Sequence, residues 1–150
     1  MKEIYYTYNN EALASCVFLS VLNRINKLDI ARACLILPFL LDDKTVSHLT
    51  KNQDQNLTLE QLIKDQPRLF VSFNKRYVSL LPITINSLMI LSKGNLITIG
   101  NEIIKTDNRS FDNKDLGDRF HKIEKIIPDF ISVLERYTTS KLYKILKIQL

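Results

Sequence analysis

The stretch from Pro67 to Lys105 constrains this chain most, because it packs two prolines, a glycine stop and a hairpin turn into one short run. Pro67 precedes a helical run, Arg68 to Leu80, and Pro82 opens a second, Ile83 to Lys93. Proline suits the first turn of a helix and breaks its interior, so two helices are expected. Gly94-Asn95 ends the second run. Leu96-Ile97-Thr98-Ile99 and Glu102-Ile103-Ile104-Lys105 then flank Gly100-Asn101, a two-residue turn between strand-like segments. Helix, tight turn, helix and hairpin is the order of a winged helix. A DNA-reading winged helix lays its second helix in the major groove and needs Arg, Lys, Asn or Gln near that helix's start. The run Ile83 to Lys93 has one charged residue, Lys93, at its far end. The expectation is therefore a protein-docking winged helix rather than a sequence reader.

The remaining chain reads as mainly α. Its 150 residues suit one domain, with a winged-helix-like core over 9–105 and a C-terminal helical extension over 115–150. Ile4, Tyr5, Tyr6 and Tyr8 suggest an edge strand or extended arm, with Asn9 or Asn10 capping a first helix that runs to about Asn26. Leu13, Ala14, Val17, Phe18, Val21, Leu22 and Ile25 recur at three- and four-residue steps, a wide apolar stripe that marks a central helix. Asp29 caps a short buried helix in the most apolar part of the chain, which Pro38 should break or bend before another helix from about Asp43 to Lys51. Thr58 and Gln61 form a capping box for a further short helix. Residues 106–114 are a polar linker. A long helix starts near Asp115, with Leu116, Phe120, Ile123, Ile127, Phe130 and Leu134 as a narrow seam for one other helix, kinked at Pro128. Thr138 to Leu150 reads as a tail helix with Lys141, Lys144 and Lys147 on one face.

Catalysis needs convergent polar groups, and the supply is thin. His48 and His121 are the two histidines, and neither has a second histidine or a cysteine at metal-ligand spacing. GxSxG, HExxH and a Gly-rich phosphate loop do not occur. Cys16 and Cys34 lie in apolar helical surroundings and read as small buried thiols. The chain is read as a non-enzyme without cofactor or metal, in the cytosol, since no apolar run reaches the ~18–20 residues of a membrane span and the N-terminus lacks a signal-peptide pattern.

The net charge of +5 is mild and permits contact with nucleic acid without demanding it. Candidate phosphate contacts are Arg68, Lys75, Arg76, Lys105 and Arg109, which would raise affinity without choosing a sequence. Candidate partner contacts are Asn86, Met89 and Lys93 on the second helix and Ile97, Ile99 and Ile103 on the hairpin. Leu142, Ile145 and Leu146 in the tail either dock on the chain's own core, which is favoured, or fill a groove on a partner.

The order of features resembles a known family. Asn9-Asn10-Glu11-Ala12 opens the first helix, Leu35-Ile36-Leu37-Pro38 follows, and after a polar loop and a short capped helix the run Arg68 to Leu81-Pro82 to Leu91 leads into the hairpin. Over residues 9 to 105 this is similar to the middle component of bacterial three-component ABC systems, relatives of Lamassu-type anti-phage defence. The resemblance implies a small non-enzymatic adaptor between an SMC/Rad50-like ATPase and an effector, often a nuclease, with any DNA contact non-specific and within the complex. The competing expectation is a DNA-binding winged-helix regulator, which needs Arg68, Lys75, Arg76 and Lys93 on one face.

Overall fold

A computed structural model describes residues 2–53, 55–106 and 116–150, with side chains from Asn10 onward. The element order is α1 (Lys2–Ile25), β1 (Lys27–Asp29), α2 (Ile30–Leu40), α3 (Asp43–Lys51), α4 (Leu59–Asp65), a 3₁₀ turn (Pro67–Leu69), α5 (Phe73–Lys93), β2 (Ile97–Ile99), β3 (Glu102–Lys105), α6 (Asp118–Glu135) and α7 (Thr139–Ile145). The fold is mainly α with a small antiparallel sheet, as the pattern of the sequence implies. The linker segment and the helix start expected near Asp115 lie outside the described residues, apart from Thr106.

Residues 2–9 are the first turns of α1 rather than an edge strand or arm, and Asn9 and Asn10 are interior residues rather than caps. The apolar stripe of α1 is the centre of the molecule: Ala14, Val17, Phe18, Val21 and Leu22 are all buried. α1 stops at Asn26, which takes the left-handed conformation (φ 60°), one that asparagine tolerates better than most residues. The chain then turns straight into β1, an element that three residues were too few to signal. Asp29 caps α2 as expected, its carboxylate accepting from the Arg32 backbone N–H at 2.7 Å.

Pro38 does not break α2, which continues to Leu40. The bend comes at Leu41-Asp42, where the Asp42 carboxylate accepts from the Thr45 N–H at 3.2 Å and starts α3. Thr58 caps α4 as its sequence signature requires, accepting from Gln61 N–H at 3.1 Å.

The largest departure is at Pro82. The two expected helices, Arg68 to Leu80 and Ile83 to Lys93, are one continuous helix, α5, with Pro82 inside it, preceded by a 3₁₀ turn at Pro67–Leu69. The tight turn between them is absent. Proline costs about 3 kcal/mol within a helix. Full burial of an apolar side chain contributes about 1.5–3 kcal/mol. Phe73 and Tyr77 before the proline, and Leu88 and Leu91 after it, are buried on one side of the helix, so packing outweighs the break.

The hairpin is as expected, with Ile97 opposite Lys105, Thr98 opposite Ile104 and Ile99 opposite Ile103. β1 adds to its other edge, Leu28 opposite Ile103, giving the strand order β1-β3-β2. α6 buries Ile126 and Val133 as well as the expected seam from Phe120 to Leu134, while Leu116 precedes the helix and is half-buried, and α6 packs on both α1 and α3 rather than on one helix. It runs unbroken through Pro128. Buried residues from Ala14 to Leu146 form one hydrophobic cluster.

Candidate docking surface on the fifth helix

One side of α5 faces α1 and α2, and the opposite side is open. Val78, Pro82, Ile85 and Met89 follow at steps of four, three and four, which places them along a single stripe of the helix. Of these, Val78 is 54% exposed, Ile85 57% and Met89 46%, with Ile90 beside the stripe at 49%. A row of large apolar groups on one outward helix face is the pattern of a docking surface, whereas single exposed apolar residues need no explanation. The charged residues of α5 are Lys75, Arg76 and Lys93, with no carboxylate among its 21 residues.

The hairpin presents two more apolar groups. Thr98 and Ile104 share the outward face, leaving Ile104 47% exposed, and Ile99 near the turn is 38% exposed. Alternation sends Ile97 and Ile103 the other way, into the core.

Several expected contacts are therefore corrected. Ile97, Ile103, Leu142 and Leu146 are buried in this chain's own core and have no surface to offer a partner. Ile145 is half-buried. The tail does dock on its own chain: α7 ends at Ile145, and the Gln149 N–H donates to Asn74 Oδ1 at 2.9 Å. Met89, Lys93 and Ile99 are exposed as expected. Asn86 is exposed too, but its amide donates to Glu11 Oε1 at 3.0 Å, tying α5 to α1. The sequence reading missed Val78, Ile85 and Ile104. Splitting the helix at Pro82 hid Val78, because its stripe with Ile85 and Met89 exists only in a continuous helix.

The basic residues do not assemble into one strip. Arg68 is exposed on the 3₁₀ turn. Lys75 and Lys93 are exposed at opposite ends of α5, about 27 Å apart at the α-helical rise per residue. Arg76 points inward and is a structural clamp rather than a phosphate contact. Its guanidinium donates to Pro38 O at 3.2 Å, Leu69 O at 2.9 Å and Ser72 Oγ at 3.1 Å. It also lies 5.2 Å from the Phe73 ring centroid. Burial lowers its pKa, with Asp42 at 4.0 Å opposing that shift. Lys105 donates to Asn23 Oδ1 on α1 and is half-buried. Arg109 lies outside the described residues.

His121 is exposed, and half-buried His48 has Nε2 at 3.4 Å from Asn52 Nδ2. Cys16 and Cys34 are free and half-buried rather than buried. Burial raises both thiol pKa values, and Asp29 adds to the shift at Cys34. Among the described residues no helix is long and apolar enough to cross a membrane.

No curated protein and no solved structure matches this chain. A family model does, over residues 3–150, so the match includes the C-terminal third for which the resemblance had no motif. The chain belongs to the ABC-three component (ABC-3C) system Middle Component 3 family.

Proposed function

We propose that this middle component is a non-enzymatic adaptor bridging an SMC/Rad50-like ATPase and a nuclease-type effector in a cytoplasmic, Lamassu-like anti-phage complex. Membership of a three-component system supplies the need for partners. The observation that carries the docking role is the outward stripe Val78, Pro82, Ile85 and Met89, apolar where a DNA-reading helix needs donors. A winged-helix origin is supported by topology. The supporting order is helix, strand, helix, then α5 and a hairpin, with strands ordered β1-β3-β2; in this reading α2 and α5 are the helical pair, with α3 and α4 inserted between them. In this reading α5 is the former recognition helix, turned to protein docking.

The test is co-expression of all three components with affinity purification on this chain. The native chain is expected to bring down both other components in stoichiometric amounts. An Ile85→Asp, Met89→Asp double substitution is expected to lose one of them while the chain keeps its helical circular dichroism and melting midpoint. Alanine at His48 and at His121 should leave every activity of the assembled system unchanged. Recovery of the chain alone overturns the adaptor role.

One second reading, a DNA-binding regulator, rests on the winged-helix order and the exposed Arg68, Lys75 and Lys93, with Arg76 withdrawn from the basic face it needs. It demands preference for one DNA sequence. Binding without preference that falls steeply with added salt fits an adaptor touching DNA inside its complex.

A further inference from the structure

A second apolar recess lies away from the outward stripe, where α7 crosses the start of α2 and the inner side of α5. It is an open groove of about 960 Å³. Its walls carry Ile30, Cys34, Tyr77, Tyr143 and Ile148, and the charged side chains lining it are those of Lys144 and Lys147, with the Asp29 carboxylate behind Thr139. Ile30 is 41% exposed at the mouth, an uncovered β-branched side chain.

The groove is held open by fixed contacts. Tyr143 donates its hydroxyl to Ala31 O at 2.6 Å, and the Tyr77 hydroxyl lies 3.2 Å from that of Tyr143. Thr139 donates to Asp29 Oδ2 at 2.7 Å and accepts from Arg32 Nε at 3.0 Å, fastening α7 to the cap of α2. These bonds have two consequences. The recess is formed before anything binds, so little ordering is charged to binding. The polar atoms of its floor are also spent on one another, whereas sites for small polar ligands keep a few donors and acceptors aimed inward. What remains is apolar surface with a basic edge.

We propose that this groove is a second docking site, occupied by an amphipathic segment of another component of the system. Its apolar side chains enter between Ile30, Cys34, Tyr143 and Ile148, and its carboxylates pair with Lys144 and Lys147. Charge complementarity selects the occupant: an apolar floor whose two charged lining side chains are both lysines matches an apolar helix face flanked by Asp or Glu, the helix-in-groove mode. The site rests on the adaptor reading, and it provides the second surface that bridging requires. Tyr77 sits roughly 100° around α5 from Val78, by the 100° turn per residue, so the two surfaces face different directions.

Zero-length carbodiimide cross-linking of the assembled three-component complex tests this, because it joins lysines only to carboxylates in direct contact. Lys144 and Lys147 are expected to link to Asp or Glu of one component, within a segment of helical apolar spacing. Lys144→Glu, Lys147→Glu should weaken retention of that component at least tenfold, Lys144→Arg, Lys147→Arg should retain it, and the outward-stripe variant should release the other component. A complex that assembles with both lysines linked to nothing outside this chain, and indifferent to the double glutamate variant, overturns the groove and leaves the adaptor role intact. Failure of the complex to assemble with the native chain overturns the adaptor role itself, and the groove proposal with it.

Discussion

Arg76 shows how a residue that looks like surface charge becomes a structural part. Its fork reaches two backbone carbonyls and a hydroxyl on three different segments, holding the end of α2 and the 3₁₀ turn to the start of α5. Arg76→Ala leaves Pro38 O and Leu69 O without this donor and should cost about 2 kcal/mol. Lysine has no fork to span these acceptors, so Arg76→Lys should recover less than half of that. A shift of the denaturation midpoint with unchanged slope checks both. Thr84 is the reverse case. Its buried Oγ1 has no partner among the described residues, so Thr84→Val, which keeps the shape and removes the hydroxyl, should stabilise by about 1 kcal/mol in the same assay. Tyr143 links stability to pH. Burial and the hydroxyl contact with Tyr77 raise its pKa above the ordinary value near 10. Below about pH 10 both folded and unfolded chains hold the proton, and the contribution is complete. Above it the unfolded chain releases the proton while the folded chain retains it, so stability falls as pH rises. The raised thiols of Cys16 and Cys34 begin the same decline from about pH 8.5. Tyr143→Phe should flatten the decline above pH 10 while costing about 1 kcal/mol at neutral pH, as read by denaturation across a pH series.

Among the elements, α5 is under the most tension between local and tertiary preference. Pro82 has no N–H to give the preceding turn, yet the helix passes through it. Pro82 itself is exposed, so its replacement disturbs no core contact. Pro82→Ala should therefore raise stability by about 2 kcal/mol, the helix gain less the lost rigidity of the unfolded chain. A drop on that substitution would mean that the proline sets a bend on which the packing of α5 depends. The hairpin obeys a simpler rule. Alternation sends Ile97 and Ile103 into the core and Ile104 outside, while Ile99, on the inner face with Ile97, stays exposed because it lies at the turn end beyond the core's edge.

At the scale of the whole molecule, the C-terminal helix is part of the core rather than an appendage. Leu142 is fully buried, and Leu146 nearly so, in the same cluster as Phe18 and Phe73. Leu142→Ala should cost about 2–5 kcal/mol, and thermal melting should show one transition shifted down, not loss of a separate tail. Tethering α7 this way also creates the lysine-edged groove, so partner binding there and folding stability are linked: a bound segment should raise the melting temperature of the chain.

Features set by neighbours along the chain were readable from residue order alone. Asp29 and Thr58 cap helices because a side-chain oxygen meets an N–H three residues on, and the hairpin turns at Gly100-Asn101 because residues of low steric demand sit between strand-forming runs. The α1 stripe and the α6 seam followed from periodicity in the same way. Features set by contacts between distant segments were not. β1 is three residues that become a strand because the edge of β3 lies beside them. α5 is one helix rather than two because burial on α1 and α2 outweighs a local break of about 3 kcal/mol. Apolar residues occur nearly all round α5, and a sequence cannot say which of them the core will use. Packing takes Tyr77, Leu88 and Leu91 and leaves Val78, Ile85 and Met89 outside, and those outer residues are the candidate docking surface.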